Sequence, residues 1–88
     1  MKLIITILGD EDWEPVSQAL IENDFRVTRI ASTGGFLRRG SSTLMIGLEK
    51  EKVDQAIEVI RNNMSPSLDP TIKRASLFVL NVEDYTQL

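Results

Sequence analysis

An α+β fold with its elements in the order βαββαβ is predicted for this sequence by three observations. Four segments are rich in β-branched and apolar residues over strand length. Two others carry apolar residues at helical spacing. Glycine, asparagine, aspartate and proline fall between them, where turns are needed. The 88 residues suffice for one small domain, 1–88, and not for two.

Lys2–Leu8 reads Lys-Leu-Ile-Ile-Thr-Ile-Leu and is apolar on both sides, as a central strand should be. Gly9 and the acids Asp10, Glu11 and Asp12 follow. Asp10 or Asp12 is suited to cap a helix, and acids at its start complement the helix dipole. Pro15 fits only the first helical turn, so the helix is expected to begin near it. Trp13, Val16 and Leu20 then give one buried stripe, and Asn23 and Asp24 stop the helix. Phe25–Ser32 alternates loosely and carries Arg26 and Arg29, which predicts an edge strand.

A glycine-rich loop, Thr33–Gly40, leads into a third strand, Ser41–Leu48. Leu44, Ile46 and Leu48 lie on one side of it and Thr43, Met45 and Gly47 on the other. Gly47 inside a strand marks close approach by a ligand or another backbone. Glu51–Asn62 is a second helix, with Val53, Ile57, Ile60 and Met64 on one face and Ala56 beside them. Asn63–Thr71, with two prolines and two serines, is a loop, and Ala75–Val82 is a fourth strand.

That order is the ferredoxin-like pattern, a four-stranded antiparallel sheet with two helices on one face. In the usual strand order 4-1-3-2 the first and third strands are central, which matches their apolar character. The fourth strand is then an edge, yet Leu77 and Val79 point one way while Phe78, Leu80 and Val82 point the other. An edge apolar on both faces invites association. The helices leave the other sheet face open, where Ile4 and Leu8 are expected to project. A homo-oligomer that buries these surfaces follows as an expectation, dimer or trimer.

Composition removes several functions. There is no cysteine and no histidine, so thiolate zinc sites, thiol nucleophiles and the commonest general base are excluded. Ser41, Ser42 and Thr43 have no histidine to activate them, and no enzymatic constellation is found. No metal or cofactor site is expected, because Asp10, Glu11 and Asp12 read as an exposed helix start. No apolar run is long enough to span a bilayer, and the N-terminus reads as a strand, so membrane insertion is not expected and a cytoplasmic location is. The net charge is −3, and the third strand has no aromatic residue to stack bases, so a nucleic-acid polymer is not the expected partner. The distribution of charge is uneven. Residues 25–48 hold Arg26, Arg29, Arg38 and Arg39 and no acid, so the remainder of the chain sums to −7. Arginines beside a glycine loop, with Phe36 available to stack on a base, fit two readings: a solvated β2–β3 hairpin whose Phe36 and Leu37 pack on the domain, or a focused site for an anionic ligand. The loop alone fits neither a phosphate-binding P-loop nor a dinucleotide fingerprint, since no helix follows it.

Taken together, Met1-Lys2-Leu3-Ile4-Ile5, Asn23-Asp24-Phe25-Arg26-Val27-Thr28, Thr33-Gly34-Gly35-Phe36-Leu37-Arg38 with Gly40, and Leu77–Val82 with Tyr85 and Gln87 closely resemble the PII-like cyclic di-AMP receptor proteins. The resemblance implies a non-enzymatic signal-transduction protein and a homotrimer similar to PII signal proteins. It implies a cyclic dinucleotide in a cleft between neighbouring subunits. Carried over by position, Arg26 and Thr28 would face the ligand. Gly35, Phe36 and Leu37 would contact an adenine, Gly47 would offer backbone groups and Gln87 its amide. Ser41 stands at a further ligand position, where the family usually has an asparagine, and Asp24 replaces another. The segment Asn63–Lys73 is also shorter than the long loop typical of the family. The expected function is binding of cyclic di-AMP or a related adenine nucleotide, relayed through residues 33–40 to an unknown protein partner. The alternative is a trimeric protein-interaction module that has lost the ligand.

Overall fold

A computed structural model of the chain describes residues 1–33, 41–65, 75–83 and 86. Its elements are β1 (Lys2–Gly9), α1 (Asp10–Glu22), β2 (Arg26–Thr33), β3 (Ser41–Leu48), α2 (Val53–Asn62) and β4 (Ala75–Asn81), with a short 3-10 turn, Lys50–Lys52, before α2. The four strands form one antiparallel sheet in the order β2-β3-β1-β4. The βαββαβ ferredoxin-like reading holds, with β1 and β3 central and β2 and β4 at the edges.

The core lies between the helices and one sheet face. Ile4 and Leu8 of β1 and Leu44, Ile46 and Leu48 of β3 are buried there with Val16 and Leu20 of α1 and Ala56 and Ile60 of α2. The register aligns Ile4 with Ile46 and Val79, and Thr6 with Leu44 and Leu77, so these rows share the helix face. Ile4 and Leu8 are therefore core residues, against the expectation that they project on the open side. The open-face residues of β1 are Leu3, Ile5 and Ile7, which are half-buried. β1 is apolar on both sides, so nothing in its own sequence marks which face is covered, and a one-residue choice exchanges the two. Thr6, a polar residue on the even-numbered row, is fully buried, and its hydroxyl has no hydrogen-bond partner among the described residues.

Two details of α1 depart from expectation. Its N-cap is Gly9, with no capping side chain. Pro15 falls in the second turn and not the first. The missing N–H would have bonded the carbonyl of Glu11, an exposed residue within reach of water, which lowers the penalty a proline carries inside a helix. Both helices end alike. The Asn23 amide donates to the Ala19 carbonyl at 2.8 Å, and the Asn63 amide to the Val59 carbonyl at 2.8 Å. After Asn23, the Phe25 N–H reaches back to the Leu20 carbonyl at 2.9 Å and Asp24 turns left-handed, with φ 68°. This Schellman-type ending drops Phe25 into the core and starts β2 at Arg26.

Candidate functional site

On the open sheet face the register builds cross-sheet rows. Arg26 of β2 lies opposite Gly47 of β3, which lies opposite Leu3 of β1, which lies opposite Leu80 of β4. The next row is Thr28, Met45, Ile5 and Phe78. A pocket of about 280 Å³ opens at this end of the face. Its walls are Arg26, Thr28 and Gly47 with Met1, Lys2, Leu3, Met45 and Val82. Three of the residues singled out from sequence thus share one concavity, although they come from two strands.

Each has a distinct part. Arg26 is exposed and, among the described residues, has neither a hydrogen-bond nor an ion-pair partner, so its five donors are available to an anion. Thr28 is exposed two residues along the same strand and supplies a hydroxyl. Gly47 keeps the floor flat. A Cβ there would come within 3.0 Å of the Met1 side-chain methyl, so a larger residue would push into the pocket. No unusual backbone angle calls for glycine here, and the atom a Cβ would crowd is the end of the flexible Met1 side chain. The remaining walls are apolar except for Lys2, whose ammonium donates to the Asn81 side-chain carbonyl, so Arg26 is the cation without a described partner in a mainly hydrophobic cup, the usual make-up of a small-molecule site. The wall residues Met1, Leu3, Met45 and Val82 escaped sequence reasoning. They follow only once the register of β1 against β3 is known.

The acid-free basic segment does not converge as a unit. Arg29 pairs with Leu44 in the ladder and so faces the helices, the side opposite Arg26. Its guanidinium lies 3.9 Å above the centre of the Trp13 ring and donates to the Ser42 hydroxyl at 3.0 Å. Arg29 is thus engaged in packing, and Trp13, read as a core residue from sequence, is a half-buried platform for it. Ser41 is buried, 6% exposed, at the opposite end of β3 from Gly47. Six residues of strand put it roughly 20 Å away, so within one copy it does not join the pocket. Gly35, Phe36, Leu37 and Gln87 lie outside the described residues, as do Arg38 and Arg39.

The acidic start of α1 is a structural feature. Asp12 is buried, where sequence reading expected an exposed helix start. One carboxylate oxygen accepts the Ser65 N–H at 2.8 Å and the Ser65 hydroxyl at 2.7 Å, so the carboxylate ties the residues after α2 to the first turn of α1. Among the described residues no group of three or more histidine, cysteine or acidic side chains is placed to hold a metal ion.

A family model described as cyclic-di-AMP receptor matches residues 1–67, from β1 through α2. The chain belongs to that receptor family. Arg26, Thr28, Ser41 and Gly47 all fall inside the matched stretch. The chain is also similar to a solved protein of unknown function from Pediococcus pentosaceus ATCC 25745, at 32% identity and a TM-score of 0.77. That match covers 99% of this chain and 96% of the other, so it takes in β4 and Val82, which the receptor-family match does not reach.

Proposed function

We propose that this member of the receptor family binds cyclic di-AMP, or a closely related adenine nucleotide, at the seam between copies of itself, and performs no catalysis. The observation that carries the reading is the convergence of Arg26, Thr28 and Gly47 on one apolar-walled pocket. A dianion with two purines wants a bidentate cation, backbone donors without a side chain in the way, and flat apolar surface. Here Arg26, Gly47 and the walls from β1 and β3 meet those needs.

The size of the pocket supports a site at a seam. Small-ligand sites run from about 300 to 1,000 Å³, and a cyclic dinucleotide belongs well inside that range. At about 280 Å³ one copy supplies part of a site. The same face carries exposed Phe78, Leu80 and Ile30, 46–53% accessible, apolar area that a second copy would cover. A trimer, in which each seam is made by two neighbours, meets both needs. In it Ser41 of one copy and the pocket of another can serve one ligand, and Gly35, Phe36, Leu37 and Gln87 are assigned to complete it. Ligand contact with residues 33–40 would then alter the surface offered to a protein partner in the cytoplasm. No helix among the described residues is long and apolar enough to cross a membrane.

A second reading, a trimeric interaction module without a nucleotide, draws on Asp24. Its left-handed backbone, φ 68°, suits asparagine or glycine best among residues. An ionised aspartate offers no donor and repels phosphate. Isothermal calorimetry with cyclic di-AMP, alongside sedimentation of the same sample, separates the readings. Saturable heat at one ligand per subunit in a trimer supports the first. A trimer that stays silent at millimolar ligand supports the second, and a monomer defeats both.

A further inference from the structure

We propose that Arg29 is a positioning residue for the ligand site: it clamps the β2–β3 ladder across a bulge, and so decides which residue of β2 pairs with Ser41 at the root of the glycine-rich segment. The mechanism stands on strand register. Only its consequence for affinity rests on the nucleotide reading above.

The ladder changes register partway. Arg26 through Arg29 pair with Gly47 through Leu44, and Ala31 through Thr33 pair with Thr43 through Ser41. Ile30 is the extra residue, so Ile30 and Ala31 together answer Thr43. The shift has a definite effect. In an unbroken ladder position 32 would stand opposite Ser41. With the bulge, position 33 does. A bulge interrupts ladder hydrogen bonds, so its place must be fixed by something else.

Arg29 is in the right place to fix it. It is the last residue in register before the bulge. Its side chain donates to Ser42 at 3.0 Å, and the ladder partner of Ser42 is Ser32, beyond the bulge. One side chain therefore joins the two halves of the irregularity on the helix-covered face. The guanidinium is held from above by the Trp13 ring at 3.9 Å, which restricts its rotamers and ties the clamp to α1. Stacking and directed donation at once belong to a planar guanidinium and not to an ammonium. Back to back with this clamp, one residue earlier on each strand, are Thr28 and Ser41, both assigned to ligand.

The test is nuclear magnetic resonance on the full chain, with calorimetry in parallel. In the unaltered protein, cross-strand backbone contacts join 31 to 43 and 33 to 41. In Arg29→Gln those contacts vanish or move by one residue while the Arg26–Gly47 contacts stay, and affinity for cyclic di-AMP falls at least about tenfold. Ser42→Ala, which leaves the stack on Trp13 in place, produces the same change, and the double variant adds little. Unaltered 31–43 and 33–41 contacts in folded Arg29→Gln overturn the clamp. If that variant does not fold, Ser42→Ala decides by the same contacts. A moved register with unchanged affinity overturns the positioning role. Absence of heat from the unaltered protein overturns the nucleotide reading alone, and the backbone contacts still decide the clamp.

Discussion

Ile4 and Ile5 are neighbours in β1 and chemically identical, yet they belong to different surfaces. Ile4 is fully buried beneath the helices, between Ile46 and Val79 in register. Ile5 lies on the open face between Met45 and Phe78 and is half-buried in a single copy. The helix-covered face is filled by side chains alone. The open face is also largely apolar, but it includes an arginine without a described partner, a glycine and a pocket. What separates a core from a binding or association face here is the cover, not the hydrophobicity. An apolar face without cover, interrupted by a few polar groups, is what a site between copies requires.

The sharpest way to break this contrast is to truncate the two isoleucines in turn. Ile4→Ala should cost about 3 kcal/mol in chemical denaturation, since it removes a fully buried side chain and leaves a cavity. Ile5→Ala should cost under about 1 kcal/mol in any dilute monomer, and nearly as much as Ile4→Ala where a second copy covers the face. The penalty of Ile5→Ala should therefore rise with protein concentration, while that of Ile4→Ala should not. Equal, concentration-independent penalties would mean that the open face is not buried by association.

Next in size is a change on the open face that spares stability. Arg26→Ala should lower cyclic di-AMP affinity by roughly 10- to 150-fold, the worth of a charge-assisted hydrogen bond at about 1.5–3 kcal/mol. Because Arg26 is exposed and unpartnered among the described residues, the denaturation midpoint should hardly move. A variant that loses stability but keeps the ligand would reverse the parts assigned to the two faces. Calorimetry and a urea titration on one preparation read both quantities.

How much of this was legible beforehand differs between the faces. The element order, the third strand and the stripe Val16–Leu20 came from periodicity, because a helix with one covered face and a strand with alternating cover write their burial into the sequence. β1 did not, since both its sides are apolar. Thr6 compounds the difficulty, as a hydroxyl on the row that proves to be the buried one. At the site, Arg26, Thr28 and Gly47 were identified by resemblance and by residue type, but the apolar walls depend on register between strands distant in sequence. The bulge at Ile30 leaves no mark that alternation would reveal. Asp12 looked like a solvated helix start because its partner, Ser65, is 53 positions away.

Thr6 offers a smaller test of the covered face. Thr6→Val removes a buried hydroxyl with no described partner and keeps the shape of the side chain, so it should stabilise by about 1 kcal/mol. The matching change on the open face, Thr28→Val, should leave stability within about 0.5 kcal/mol and weaken ligand binding. A destabilised Thr6→Val would mean that the hydroxyl is satisfied, and that the covered face is less purely apolar than its burial implies.

The smallest expected effect lies where the two faces meet, at the turn between α1 and β2. Asp24 holds φ 68° just after the Asn23 cap, and the Phe25 N–H closes back onto Leu20 at 2.9 Å. Asparagine is more at ease in that conformation and carries no charge, so Asp24→Asn should gain a few tenths of a kcal/mol from the backbone alone. The same substitution removes a negative charge two residues from Arg26 and restores a donor. If the anionic ligand is drawn to Arg26, affinity should rise more than stability does, and the gain should shrink as salt screens the lost repulsion. Asp24→Gly separates the two contributions, because it relaxes the backbone and removes the charge without supplying an amide. Equal affinity gains in Asn and Gly variants would assign the effect to charge. A gain in Asn alone would assign it to the donor. No gain in either, with the backbone stabilisation still measurable, would place the ligand away from this turn and confine the influence of Asp24 to the ending of α1.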